Sequence, residues 1–272
     1  SGVIFVLTYG VIMTEKYNRA VVALLGAGAM ILFGVYPNQS AAIHGIDWNT
    51  IGLLTGMMVI VAVTQRTGVF QFLAIWSAKK VNARPWGILV MLSIVTAVLS
   101  ALLDNVTTVL LIAPVTLLIT EELEIAPYPF LFAEILFSNI GGTATLIGDP
   151  PNILIGSQVE TITFNSFLTE VAPIVPLIFI MTLLPIYVMW GRKLTASDEA
   201  MARVMNFKAK EAITNVPLLK KSLAVLTFVL LGFMVGHPLG FEPATVAMVG
   251  GALLLLLDNL SRTPEEKSEN VH

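Results

Sequence analysis

The sequence predicts an all-α polytopic membrane protein, and three observations carry that reading. Of the 272 residues, 56% are hydrophobic and only 12% charged, about half the charge of a soluble domain. The apolar residues come in runs of about 15–20, the length that crosses a hydrocarbon core of roughly 30 Å. Lys and Arg gather in a few loops and are missing from others. A soluble enzyme, a nucleic-acid binder and a disordered tail are thereby excluded, and a net charge of −3 offers no basic patch for nucleic acid. With no cysteine there is no disulfide, thiolate metal site or cysteine nucleophile. His44, His237 and His272 fall in predicted loops or at the end, so neither a zinc cluster nor a resident cofactor is expected.

Apolar segments are expected at about 2–13, 20–36, 50–65, 86–103, 106–120, 128–158 with a break, 170–190, 222–236 and 243–258. Segment 68–78 is shorter, and its Phe70, Phe72, Leu73 and Trp76 suit a helix lying at the membrane interface. Pro114 is expected to bend its helix. Arg66 should snorkel to the surface, Asp258 and Asn259 should be interfacial, and Glu121, Glu122 and Glu124 should form a solvated loop. No cleavable signal peptide is visible. The chain opens with Ser1 inside an apolar run, as expected of a piece of a longer protein.

Basic residues set orientation. Lys16 and Arg19 share one loop, and Lys79, Lys80 and Arg84 another. Seven more (Arg192, Lys193, Arg203, Lys208, Lys210, Lys220 and Lys221) crowd the loop 191–221, and Arg262 and Lys267 lie in the tail. Loops 37–49, 159–169 and 237–242 hold none. All basic loops share one side, read as cytoplasmic at the plasma membrane, if segments 86–103 and 106–120 together return the chain to the side it left. Their connection is only Asp104-Asn105, which favours a re-entrant hairpin over about 86–120 with a buried tip; an ordinary tight turn outside the membrane is the alternative.

Ala20, Val22, Ala23, Gly26 and Leu32 recur as Ala244, Val246, Ala247, Gly250 and Leu256 at a constant offset. Span parity makes the two copies inverted, the pattern of secondary transporters. On this reading residues 1–218 form a first transmembrane repeat. Residues 219–272 begin a truncated second one, and the whole molecule runs to roughly 410 residues by analogy with two-repeat transporters.

Polar residues inside a span are expensive, about 2.5–3.5 kcal/mol for a central Asp on insertion scales. Two clusters stand out. Asp104, Asn105, Thr107 and Thr108 sit at the hairpin tip, where one helix ends in carbonyls and the next begins in amides. Oxygen ligands there suit a hard cation, and a carboxylate can carry a proton; Asp104 or Asn105 should also cap the second arm. The second cluster runs Ser138, Asn139, Gly141, Gly142, Thr143, Gly148, Asp149, Pro150 and Asn152. Its glycines permit an unwound backbone, and Asp149 before two prolines reads as an N-cap. The span 128–158 is therefore two half-helices around an open stretch, which survives at bilayer depth only beside protein or a water-filled cavity. Glu134, one turn before Ser138, is either a proton carrier or a buried partner.

The stretches LLDNVTTVLLIAPVT (102–116) and SNIGGTATLIGDPPNI (138–153) resemble the ion transporter superfamily. That superfamily includes arsenite-pump membrane proteins, NhaD-type sodium/proton antiporters, P-protein-like carriers and, more distantly, sodium-coupled citrate and dicarboxylate permeases. The similarity covers essentially the whole chain. It implies an elevator-type carrier of two inverted repeats, each with a re-entrant hairpin and a broken helix, working as a homodimer. Asp104-Asn105-Val106-Thr107 takes the place of the carboxylate carriers' Ser-Asn-Thr tip, and Gly148-Asp149-Pro150-Pro151-Asn152 matches their Gly-Thr-Pro-Pro-Asn sodium loop. The resemblance thus implies Asn105, Thr107, Gly148, Asp149 and Asn152 as cation ligands. The two aspartates depart from the carboxylate-carrier pattern and disfavour a dicarboxylate by like-charge repulsion.

The leading expectation is a secondary transporter moving a small ion coupled to Na+ or H+, with cation/proton antiport foremost and Asp104, Asp149 and Glu134 as candidate proton carriers. Arsenite or other anion efflux, Na+-coupled di- or tricarboxylate transport and a P-protein-like anion channel are the alternatives. An intramembrane aspartyl protease would also need two membrane aspartates. Its Gly-x-Gly-Asp motif requires Gly at 146, where this chain has Leu146.

Overall fold

The computed structural model describes residues 1–159, 161–236 and 239–261. His237, Arg262, Lys267 and His272 lie outside the described residues. Every regular element among those described is helical. Packing divides the chain into two units, Ser1–Trp48 and Asn49–His272. This is a division by contact and differs in kind from the repeat boundary expected after residue 218.

The first unit holds α1 (Gly2–Met13), α2 (Arg19–Leu32) and α3 (Gln39–His44). Asn18 caps α2 by accepting from the Ala20 amide at 2.9 Å, and Asn38 caps α3 through the Ala41 amide at 2.8 Å. The residues 37–49 were expected to be loop throughout; the Asn38 cap instead starts a short helix that ends at His44.

The second unit contains α4 (Trp48–Gln65) from its second residue onward, α5 (Val69–Lys80), α6 (Pro85–Leu102), α7 (Asn105–Glu122), α8 (Tyr128–Gly142) and α9 (Pro150–Gln158). After these come α10 (Phe164–Ser166), continued by a π-helical turn Phe167–Val171, and α11 (Val175–Ile186), continued likewise over Tyr187–Gly191. The chain ends in α12 (Asp198–Met205), α13 (Val216–Gly236) and α14 (Pro243–Ser261). Five helices (α4, α6, α7, α13 and α14) are long and apolar enough to cross a membrane. The stretch Phe164–Gly191, bent by 52°, makes a sixth if it is counted as one span.

Several boundaries differ from expectation for local reasons. The helix expected from 222 starts at Val216, because the Asn215 carboxamide accepts from the Leu218 amide at 2.9 Å and Pro217 fits a first turn. Lys221 then sits inside α13 and donates to the Leu257 carbonyl of α14 at 3.1 Å. Within the long loop, Ser197 caps α12, which apolar counting alone did not find. Phe70, expected at the interface, is only 3% exposed: α5 turns Phe70, Ala74, Ser77 and Ala78 into the protein.

Two apolar cores result. One gathers α5, α6, α7, α8, α11 and α12 around Ile88, Ile112, Phe130 and Phe137. The other gathers α4, α9, α13 and α14 around Ile60, Val229 and Leu254, and Leu146 and Ile147 from the break between α8 and α9 join it.

The α4 and α14 helices run parallel, with Gly56 against the Ala247 backbone and Arg66 bonded to Asp258. The Arg66 Nη1 to Asp258 Oδ2 distance is 3.0 Å, and the aspartate is buried. Arg66 therefore pairs rather than simply snorkelling, and Asp258 is not merely interfacial. A carboxylate opposes the dipole at the C-terminal end of α14, so the guanidinium offsets both charges at once. Glu122 and Glu124 are likewise not just solvated: Arg203 reaches them at 3.2 and 2.5 Å. The Thr214 amide donates to the Thr67 carbonyl at 3.0 Å, and Lys79 to the Phe207 carbonyl at 2.7 Å. The long basic loop is thus docked on the end of the bundle where α4 and α7 finish and α6 begins.

A Cβ at Gly56 would sit 2.5 Å from the Ala247 carbonyl carbon, whereas one at Gly28 meets nothing. Gly56→Val should therefore lower stability by about 1–3 kcal/mol by forcing α4 from α14, read as a lower thermal unfolding midpoint of the purified protein. Gly28→Ala should leave that midpoint unchanged or raise it.

Candidate functional site

The tip between α6 and α7 is a tight connection closed by its own side chains. Asp104 is the N-cap of α7, accepting from the Thr107 amide at 2.8 Å. The capping expected at this position thus falls to Asp104, and Asn105 is left to reach outward. Its Nδ2 donates to Asn139 Oδ1 on α8 at 2.9 Å. The Asp149 carboxylate lies near this carboxamide and feels the charge of Asp104. The Asn105–Asn139 bond ties the tip to α8, the first half of the broken helix.

The break spans residues 143–149. The backbone is unwound there, as its glycines were expected to permit, yet none of Gly141, Gly142 and Gly148 has positive φ. They serve close approach instead. A Cβ at Gly141 would overlap the Ala97 backbone of α6, and Gly142 and Gly148 face each other so closely that neither has room for one. The unwound chain folds back on itself at a spot where only hydrogen atoms fit.

Polar groups around the break then take up the freed backbone. Ser100 Oγ donates to the Ser138 carbonyl at 2.6 Å, and Thr145 Oγ1 donates to the Ala101 carbonyl at 2.5 Å while accepting from the Gly148 amide at 3.1 Å. Asn152 Nδ2 reaches the carbonyls of Gly142 and Thr145 at 3.3 and 3.0 Å. Thr143 Oγ1 turns back to the Ile140 carbonyl, and Ser138 Oγ to Ile135.

Asp149 has the N-cap position of α9 but makes no capping bond with its side chain. The reason lies in the next two residues. Pro150 and Pro151 carry no N–H, and the first amide after them, that of Asn152, is taken by the Asp149 main-chain carbonyl at 3.0 Å. The Asp149 carboxylate is half-buried with lone pairs to spare. Thr108, fully buried in the first turns of α7, has a hydroxyl with no hydrogen-bond partner.

The structure thus brings together Asp104, Asn105, Thr107, Asn139, Gly142, Gly148, Asp149 and Asn152, and packs Thr108 and Ser138 behind them. Glu134 stands apart. It is 1% exposed, one oxygen accepts from Thr116 Oγ1, and Oε2 has no partner. Ser100 and Thr145 were missed from the sequence. A signal existed for Ser100: Ser93, Thr96 and Ser100 form a small-residue stripe at helical spacing, the composition of close helix contacts in membranes.

The chain matches the family model described as citrate transporter over residues 9–264. It is 43% identical over 264 residues to an uncharacterized transporter of Mycobacterium bovis, covering 96% of this chain and 61% of that protein. It is 41% identical over 263 residues to a 46 kDa membrane protein of Mycobacterium leprae, with the same coverage. The chain therefore spans about three fifths of the length of these relatives. The human P protein is 42% identical over 156 residues, 56% of this chain and 19% of that protein.

The two caps differ, and stability should report it. Asp104→Ala removes a capping bond and should cost about 0.5–2 kcal/mol. Asp149→Ala removes none and should leave the thermal midpoint of the purified protein within error of wild type. Equal losses in both variants would contradict the geometry.

Proposed function

The chain belongs to the citrate transporter family, and from that premise we propose that it forms part of a secondary active transporter moving a small ion coupled to Na+ or H+. It is an integral membrane transporter chain, and its family is one of transporters, not enzymes. Cation/proton antiport is the reading favoured for the whole protein. One observation carries it: two carboxylates, Asp104 and Asp149, stand at the N-cap positions of two helices that both begin at a chain break, near enough for the charge of one to act on the other.

In this reading Asp104 and Asp149 supply negative charge, and Asn105, Thr107, Asn152 and the backbone near Gly148 supply neutral oxygens. A hard cation without its full water shell matches that set. A proton competing for the same carboxylates would give exchange, because only one positive charge is held well at a time. Glu134 is assigned as a second proton carrier behind the site. The remainder of an inverted-repeat, elevator-type molecule would contribute the second half of the cavity, and a homodimer at the plasma membrane with loop 191–221 cytoplasmic completes the proposal.

The family description favours a second reading, Na+-coupled di- or tricarboxylate transport. Bound cations would then have to offset both aspartates before an anion could approach.

The test is sodium-induced proton movement in inverted vesicles containing the complete protein. Wild type should give a sodium-dependent pH change, and Asp104→Asn should lose it by tenfold or more while remaining inserted. Silent wild-type vesicles holding folded protein would overturn antiport and turn the search to carboxylate or arsenite flux.

A further inference from the structure

A second, unrelated site lies at the basic end of the bundle. The α5 helix is 12 residues long, about 18 Å, and too short to cross a bilayer. Its two faces differ. Phe70, Ala74, Ser77 and Ala78 are buried against the core. Phe72, Trp76 and Lys80 follow one another at intervals of four residues, with Lys79 beside the last, so one stripe passes from aromatic rings to ammonium groups. Trp76 is 42% exposed.

The loop 206–215 closes over this stripe. A 3-10 turn, Ala209–Ala212, packs on α5, and the Ala212 carbonyl lies directly over Gly68, whose φ of +78° and lack of Cβ make room for it. Backbone bonds hold the loop there, with the Thr214 amide on the Thr67 carbonyl and Thr214 Oγ1 on the Arg66 carbonyl at 2.8 Å. Between the helix and the loop is a cleft of about 760 Å³ lined by Phe72, Trp76, Lys79, Lys80, Lys208 and Lys210, with Glu211 at its edge. That volume suits a small-molecule ligand, for which pockets run about 300–1,000 Å³.

Charge in the cleft is unbalanced. Four ammonium groups face one carboxylate. Glu211 is taken by Lys208 at 2.8 Å, and Lys79 is committed to the Phe207 carbonyl. Among the described residues neither Lys80 nor Lys210 has a carboxylate partner. The cleft lies where α4 ends and α6 and α13 begin, that is, at the ends of three membrane-length helices. Aromatic rings beside lysines at that level match the two parts of a phospholipid, acyl chain and phosphate.

We propose that this cleft binds the phosphate headgroup of an anionic phospholipid, with the upper acyl chain against Phe72 and Trp76. A free phosphate ion would use the lysines but leave the aromatic wall unused. The site is independent of the ion-binding break and holds whatever the transported ion is.

The test is native mass spectrometry of the complete purified protein with phosphatidylglycerol, phosphatidylcholine or inorganic phosphate as probe. Phosphatidylglycerol should be retained in preference to phosphatidylcholine. The double variant Lys80→Gln/Lys210→Gln should weaken phosphatidylglycerol retention by about tenfold or more, since each Lys near the surface adds of order 1 kcal/mol of attraction to anionic lipid. Lys220→Gln, an exposed lysine outside the cleft, should bind as wild type. All three substituted side chains are exposed, so the fold is retained. Undiminished phosphatidylglycerol binding in the double variant would overturn the proposal, as would displacement of the lipid by an equal concentration of inorganic phosphate.

Discussion

The chain unwinds between α8 and α9 over residues 143–149 and must find partners for every backbone group it releases, and that constraint organises the second unit. Residues 145–148 are buried, and an unpaired N–H or C=O away from water costs several kcal/mol. The chain meets the requirement with short polar side chains from three directions. Ser100 arrives from α6, Thr145 comes from the break itself, and Asn152 reaches back from α9. The Gly142–Gly148 approach brings the two helix ends near enough for these bonds to form. Close packing of α6 on α8 through Ala97 and Gly141 follows from the same demand, since longer side chains would separate donor from acceptor.

Once the backbone is satisfied, the side chains left over define the chemistry. Asp104 spends one oxygen on its cap. The two prolines after Asp149 strip that residue of capping partners, so its carboxylate is left near Asn105 and under the charge of Asp104. Two carboxylates near one another hold their charge well only with a cation between them or a proton on one. Helix initiation and a carboxylate with lone pairs to spare thus come from the same motif: proline at the first turn starts the helix and also frees the aspartate.

Much of this was legible in the sequence. The tight connection between α6 and α7, the break after α8 and the residues flanking both could be read because interrupted apolar runs carry Asp, Asn, Gly and Pro at the interruption. The role of the glycines was not legible: unwinding and close approach call for the same residue, and only the positions of Ala97 and Ser100 distinguish them. The ion pair Arg66–Asp258 joins residues 192 apart, beyond any local pattern. Thr145 was passed over in favour of Thr143, two residues away on the same unwound stretch, because spacing does not say which hydroxyl faces α6. The start of α13 was set too late because Lys220 and Lys221 look like loop residues, although Lys221 has a carbonyl of α14 to bind. The division of labour within the basic loop was hidden for a similar reason, since charge counting sees lysines but not the backbone bonds that fold them over α5.

If the α6–α7 tip and the broken helix form one cation site, as proposed, they bind sodium as a unit. Equilibrium binding of radioactive sodium to the complete purified protein addresses it directly, with Asp104→Asn and Asp149→Asn made singly and together. A shared site predicts that either substitution abolishes most of the binding and that the double variant loses little more. Sodium binding that survives both substitutions, or two losses that simply add, would contradict a shared site.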